Sequence, residues 1–230
     1  MATFEELFDN CAFQAYERQN RLASLIGDRD WLLDTELATI KFADDLVFRV
    51  QFLGTESDIT NTWLWADANA RVAFPPANLD LCRKVRARGR SVGIEEFSVD
   101  SFPFVEEVGK PTAHTLAMVA VSMGNASAYY RGPHKAGAVF VAINDSRIDA
   151  QPELDREGFV NAFNNLMWLP GNMKKWIVSY LSEKGCINKD WDGTELSCSL
   201  STGEEIGLTF RRTPSGGMEI SFAAEHGKSK

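Results

Sequence analysis

The hydrophobic pattern of the chain begins with the period of an amphipathic helix and then changes to that of strands. Over residues 1–27 the apolar side chains form one helical stripe, and Thr3 followed by Glu6 is a capping box. From Asp30 the period is two, and four short runs rich in aromatic and branched residues alternate with polar turns. The runs are residues 31–33, 36–42, 46–53 and 59–66. Connections this short predict an antiparallel meander under the first helix.

Two tryptophans, Trp63 and Trp65, lie in the last of these runs. Their spacing of two puts both rings on one face of an extended strand, where they need a large packing partner. We therefore interpret residues 60–69 as the structural centre that the other elements cover.

Two further helices and a hairpin are predicted after the Pro75-Pro76 break. Asn78 is the predicted cap of a helix that ends near Gly89. The inward-facing residues of this helix are Leu81, Cys82 and Val85. Thr112 is the predicted cap of another helix, which is apolar nearly all round and is therefore expected to be buried. The remaining predicted elements are a short strand with a connector at residues 94–104 and a hairpin of residues 128–131 and 137–143.

Strict alternation of apolar and polar residues marks the C-terminal segment. Two helices, at residues 155–168 and 172–184, precede it. The alternating apolar residues are Leu196, Cys198 and Leu200, then Ile206, Leu208 and Phe210, then Met218, Ile220 and Phe222. This pattern predicts a three-stranded antiparallel meander whose one buried face the helix pair covers.

Together these elements predict an α+β fold: an antiparallel sheet covered by helices, followed by a smaller unit of two helices and a three-stranded antiparallel meander. The polar stretch 144–153 contains a proline and is the predicted boundary. It gives an N-terminal domain of residues 1–148 and a C-terminal unit of residues 149–230. The pattern leaves open whether the two pack as one body.

Composition and charge exclude some classes of function. The chain has 230 residues, of which 44% are hydrophobic and 24% charged, as in an ordinary globular protein. Its formal net charge of −8 argues against nucleic-acid binding, which needs a basic surface. A membrane-spanning helix needs about 18 consecutive apolar residues, and the apolar runs of this chain are much shorter. The N-terminus shows no export signal. We expect a cytoplasmic protein that binds neither nucleic acid nor membrane.

The cysteines and histidines give no sign of a metal or redox site. The four cysteines, Cys11, Cys82, Cys186 and Cys198, include no C-x-x-C pair and are predicted to be reduced core thiols. The three histidines are dispersed along the chain. No phosphate loop, dinucleotide-binding glycine pattern or nucleophile elbow is present. We therefore predict no metal and no cofactor.

The best catalytic candidate is His114 in the first turn of the predicted buried helix. A carboxylate from Glu95, Glu96 or Asp100 could orient this imidazole as a general base, as in a hydrolase. The alternative is a structural histidine that hydrogen-bonds to nearby backbone.

Aromatic residues suggest a small-ligand pocket as a second kind of site. Trp63, Trp65 and Tyr130 would form its apolar walls, and Asn69 and Arg131 would supply polar groups. The alternative is that these aromatic rings are simply core.

The helix after Asn78 is unusually basic for an acidic protein. Arg83, Arg86 and Arg90 are predicted to lie on its outer side, where they could dock an acidic partner or an anionic ligand. The alternative is an ordinary solvated face.

Several segments resemble a bacterial family that is known only as a domain of unknown function. They are T-W-L-W-A-x-A-N at residues 62–69, V-G-I-E-E-F at residues 92–97, and Y-Y-R-G-P followed by G-A-V-F-V-A-I at residues 129–143. The resemblance runs from about the first helix to Ile143, extends more loosely through the final meander, and implies a bacterial intracellular protein. It carries over no catalytic residue.

The leading functional hypothesis is a non-enzymatic binding or protein-interaction module. It would use the tryptophan cluster or the basic helix to bind an unknown protein or small molecule. Two alternatives remain open: a hydrolase that uses His114 with a nearby carboxylate, and an immunity or regulatory protein that forms a stable complex with a basic partner.

Overall fold

One long strand, β3 (Leu46–Ser57), is the centre of the first sheet in the computed structural model of the chain. This antiparallel sheet has seven strands. The other six are β1 (Trp31–Asp34), β2 (Thr39–Phe42), β4 (Thr62–Trp65), β5 (Ser101–Pro103), β6 (Ala128–His134) and β7 (Gly137–Ile143). Strand β3 pairs with β2, β4 and β7. The structure describes residues 3–43, 45–107, 109–150, 155–166, 171–191, 194–214 and 218–224.

A β-bulge in β3 lets consecutive side chains reach the core. The pairing of β3 with β7 shifts register between Phe52 and Gly54, so Leu53 is the extra residue. Phe52 and Leu53 are therefore both fully buried, which simple alternation does not allow. Beyond the bulge, a Cβ on Gly54 would lie 2.4 Å from Cζ2 of Trp63, so only glycine leaves room for that indole.

Five helices accompany this sheet, and their bounds are α1 (Phe4–Ile26), α2 (Asp80–Ser91), α3 (Glu95–Ser98), α4 (Ala113–Gly124) and α5 (Ser146–Asp149). The predicted capping box of α1 is confirmed, because the Thr3 hydroxyl accepts from the Glu6 N–H and the Glu6 carboxylate accepts from the Thr3 N–H. Helix α4 begins after a second capping box, formed by Thr112 and Thr115. The burial of α4 is confirmed as well, since seven of its residues from Ala113 to Val121 are buried.

Three local predictions were wrong. Asn78 does not cap α2: it lies in a 3₁₀ turn (Pro76–Leu79), and its side-chain amide donates to the Val50 carbonyl. The strand predicted at residues 59–66 is shorter, and Ile59 lies in an exposed turn before it. The strand predicted from residue 94 is preceded by the short helix α3, so only Ser101–Pro103 is extended.

The chain forms two compact units, residues 1–150 and 151–230. The second contains two helices, α6 (Arg156–Leu166) and α7 (Met173–Glu183), and a four-stranded antiparallel sheet. Its strands are β8 (Ile187–Trp191), β9 (Glu195–Ser199), β10 (Glu205–Arg212) and β11 (Met218–Ala224). The predicted meander is β9 to β11, and β8 was missed because its sequence, I-N-K-D-W, does not alternate. Trp168, the predicted end of α6, lies outside the described residues.

The α+β prediction is therefore confirmed, and each unit has its own apolar centre. In the second unit, the inner residues of β9 and β10 are buried, and Phe159 and Phe163 of α6 contact Phe222 of β11. All four cysteines are free thiols, and Cys11 is only partly buried.

Candidate functional site

Helix α2 is fixed to the sheet by its apolar side. The buried residues of this side include Leu81, Cys82, Val85 and Gly89. Gly89 is so close to the ring of Phe97 that a Cβ on it would lie 2.4 Å from that side chain. At the start of the helix, the Leu81 N–H donates to Oε1 of Gln51 (3.3 Å). These contacts hold α2 in one orientation.

The opposite side of α2 carries several exposed cations, which we call the basic face. It consists of Arg83, Lys84, Arg88 and Arg90. Arg83 donates to the Pro76 carbonyl (3.0 Å) and lies 3.5 Å from the exposed carboxylate of Asp80. Arg88 donates to the Met123 carbonyl (3.4 Å). The predicted docking residues Arg83 and Arg90 are therefore exposed on a fixed helix.

Arg86 does not belong to this face, and its predicted outward position was wrong. Its side chain is only 4% exposed and forms ion pairs with Asp67 (2.6 Å) and Asp100 (2.7 Å). The guanidinium also donates to the Val99 carbonyl and lies 6.0 Å from the centre of the Trp65 ring. The pKa of Arg86 is lowered by burial but raised more by its two carboxylate partners, so the net shift is upward. Arg86 thus anchors the helix from inside.

The spacing of residues could have identified this anchor. Arg86 follows Cys82 by four residues and precedes Gly89 by three, so it lies on the same helical face as the buried residues. Nothing in the sequence pointed to Asp67, because it belongs to a 3₁₀ turn after β4 and meets Arg86 only in the folded chain.

Trp63 and Trp65 are sealed in the core. Both are 0% exposed, and their rings meet edge to face at 5.4 Å. Trp63 also contacts Phe140, and Trp65 contacts Phe97 and donates to the Glu96 carbonyl (2.9 Å). Rings without solvent contact cannot form the walls of an open pocket, so this arrangement gives a ligand no access to them.

The remaining pocket candidates are scattered. Asn69 accepts two backbone hydrogen bonds within its own turn. Tyr130 packs edge to face against Trp31 and Phe42. Arg131 forms a half-buried ion pair with Glu56 (2.9 Å). The structure therefore uses these residues in three separate local contacts.

His114 has a tyrosine partner in place of the predicted carboxylate. Its Nδ1 lies 2.8 Å from the hydroxyl of Tyr129, and within the described residues it bonds to none of Glu95, Glu96 and Asp100. Burial against the neighbouring rings lowers the His114 pKa, the charge of Arg131 lowers it further, and Glu56 opposes the shift. Burial also raises the pKa of the Tyr129 hydroxyl, which therefore stays protonated. The pair is a neutral imidazole bonded to a neutral phenol.

The three carboxylates lie elsewhere. Asp100 is bonded to Arg86, as described above. Glu95 and Glu96 line an open pocket of about 330 Å³ together with apolar residues such as Phe102 and one cation, Lys110. None of the three candidate carboxylates therefore lies beside His114. The candidates named for a hydrolase include no nucleophile beside it either.

The described residues contain neither a metal-binding cluster nor a membrane-spanning helix. No group of three or more histidine, cysteine, aspartate or glutamate side chains in that part of the chain could hold a metal ion. No helix there is both long enough and apolar enough to cross a bilayer.

These features define an antiparallel α+β domain with an exposed basic helix. Residues 5–146 match DUF6882, a family of unknown function, and the chain therefore belongs to that family. The matched residues lie within the first unit. No curated protein and no solved structure matches the chain.

Proposed function

We propose that the protein is a non-enzymatic interaction module that binds an acidic protein surface through the basic face. The observation that carries this proposal is the orientation of α2. Its four exposed cations lie on a helix whose orientation is fixed by the buried side chain of Arg86 and by the contact of Gly89 with Phe97. Arginine is enriched at protein interfaces, and a helix that is already fixed has no backbone freedom to lose on binding.

The net charge of the protein limits where an acidic partner can bind. A chain with a formal charge of −8 repels acidic proteins on average, so a local basic surface is needed for such a complex. Cytoplasmic location, which the sequence favours, would suit this role.

The test compares two triple charge reversals. The first changes the basic face: Arg83→Glu, Lys84→Glu and Arg90→Glu. The control makes the same change of charge at exposed positions elsewhere in the first unit: Arg49→Glu, Arg71→Glu and Lys135→Glu. Proteins captured from a lysate of the source organism are identified by mass spectrometry, and the main partner is then titrated as a purified protein.

We expect the basic-face variant to bind this partner at least about tenfold more weakly than the wild type, and the control variant to bind normally. The affinity of the wild type should fall as salt is added. Equal binding by both variants would contradict the proposal. A strongly basic partner would instead favour the immunity or regulatory hypothesis.

The hydrolase hypothesis has its own test. Turnover of a hydrolytic substrate that is lost in His114→Ala, while circular dichroism shows an intact fold, would favour an enzyme over a binding module. Burial raises the pKa of the Tyr129 hydroxyl, so its hydrogen bond to His114 gives that hypothesis no activated nucleophile.

A further inference from the structure

A wide groove of about 1010 Å³ lies within the second unit. The N-terminal half of α7 forms one side of it, and the adjoining ends of β9 and β10 form the other. The volume is at the upper end of the range for small-molecule sites. The groove contains no residue of the basic face and neither His114 nor Tyr129.

Cations come from both sides of this groove. Lys174 and Lys175 line it from α7, and Arg211 and Arg212 line it from the end of β10. Among the described residues that line the groove, Glu195 is the one carboxylate. The described residues that line the groove therefore carry an excess of positive charge, although the whole protein is acidic.

The two arginines are not used in ion pairs within the described part of the chain. Glu219 faces Arg211 in the pairing of β10 with β11, but the two side chains do not form a salt bridge. Arg211 and Arg212 are both exposed. Their guanidinium groups are thus accessible from solvent at the groove.

The position of the lysines is unfavourable for the helix itself. The N-terminal end of a helix carries partial positive charge and favours acidic side chains, as α1 shows with Glu5 and Glu6. Helix α7 has no acidic residue in its first turn and has Lys174 and Lys175 there instead. A bound anion would offset this repulsion.

The neutral polar groups of the groove match an anion as well. Ser179, Thr194 and Thr209 add hydroxyls, which can donate beside the ammonium and guanidinium groups. Phosphate oxygens accept only, and arginine binds them in a bidentate fork. We propose that the groove binds a small ligand with two or more phosphate groups, such as a nucleotide or a short polyphosphate.

The test is isothermal titration calorimetry of the full chain with three probes: sodium tripolyphosphate, ATP, and a hexaglutamate peptide. Saturable binding of tripolyphosphate or ATP at low salt supports the proposal. Equal affinities would show that the phosphate chain alone is recognised, and tighter binding of ATP would show that the nucleoside contributes. Absence of binding by both phosphate probes, or binding of the peptide alone, would overturn it.

Variants locate the binding in the groove. We expect the double variant Arg211→Gln, Arg212→Gln to weaken tripolyphosphate binding at least about tenfold. Lys175→Gln should also weaken it, whereas Lys184→Gln, the same change at the other end of α7, should not. Circular dichroism checks that each variant is folded. Phosphate binding that is equal in all four proteins is non-specific and contradicts the proposal.

Discussion

At the scale of single residues, the close fit between Gly54 and Trp63 is a strong constraint in the first sheet. We predict that Gly54→Ala destabilises the protein by about 1–3 kcal/mol, because the new methyl group overlaps an indole that is fully buried and cannot move aside. The free energy of unfolding in urea measures the effect.

A double-mutant cycle separates this overlap from a general effect on the strand. Trp63→Phe removes Cζ2 and Cε2, the two ring atoms that a Cβ at position 54 would overlap. In the Trp63→Phe background, the loss of unfolding free energy caused by Gly54→Ala should be smaller than in the wild type. The difference should exceed about 0.5 kcal/mol. An unchanged cost would mean that the backbone, and not the indole, sets the requirement for glycine.

The burial of His114 predicts a pH dependence of stability. Since the folded protein lowers the His114 pKa from 6.5, the unfolded chain binds the proton more readily. The contribution of neutral His114 to the free energy of unfolding is fully present above about pH 6.5 and is lost as the pH falls below that value. Urea unfolding at several pH values should show a shallower dependence in His114→Asn than in the wild type.

His134→Asn is the control for this series, because His134 is the exposed last residue of β6. It should leave the pH dependence unchanged. If His114→Asn also leaves it unchanged, the imidazole of His114 does not lose its proton on folding.

At the scale of elements, α2 depends on one buried cation. We predict that Arg86→Met destabilises the protein by about 3–5 kcal/mol, because it leaves the Asp67 carboxylate mostly buried without its partner. Thermal and urea unfolding measure this loss.

Arg83→Met is the matched control on the same helix. Arg83 is about half exposed, and its ion pair with Asp80 is at the surface, so this change should alter stability by less than about 0.5 kcal/mol. Similar losses in the two variants would show that Arg86 is no more important to the fold than an exposed arginine.

Helix α2 also shows how far the sequence alone predicts this structure. Hydrophobic period and predicted N-caps identified α1 and α4, and alternation identified the meander of β9 to β11, because these signals are local. The same reasoning placed Arg86 outside, since a charge on a helix is usually solvated. Its spacing from Cys82 and Gly89 fits the buried face, but its carboxylate partners come from two loops that only the tertiary fold brings together. The partner of His114 was missed for the same reason.

At the scale of the whole molecule, the two units have separate cores, and we propose that the first folds alone. Residues 1–150 contain the complete seven-stranded sheet with its helices. Expressed as a fragment, they should keep helical and strand circular dichroism and unfold in one cooperative transition. A fragment that shows no cooperative transition would mean that residues 151–230 are needed for the fold.

The pairing of β3 with β7 has a consequence for the order of folding. Val50 pairs with Ile143. One edge of the central strand β3 therefore lacks its partner β7 until nearly all of the first unit has left the ribosome. Contacts between such distant parts of a chain form slowly, because the long intervening loop must be closed first. We therefore expect the hairpins to form early and the complete sheet to form in a late step. Stopped-flow refolding would detect that step as slow burial of Trp63 and Trp65.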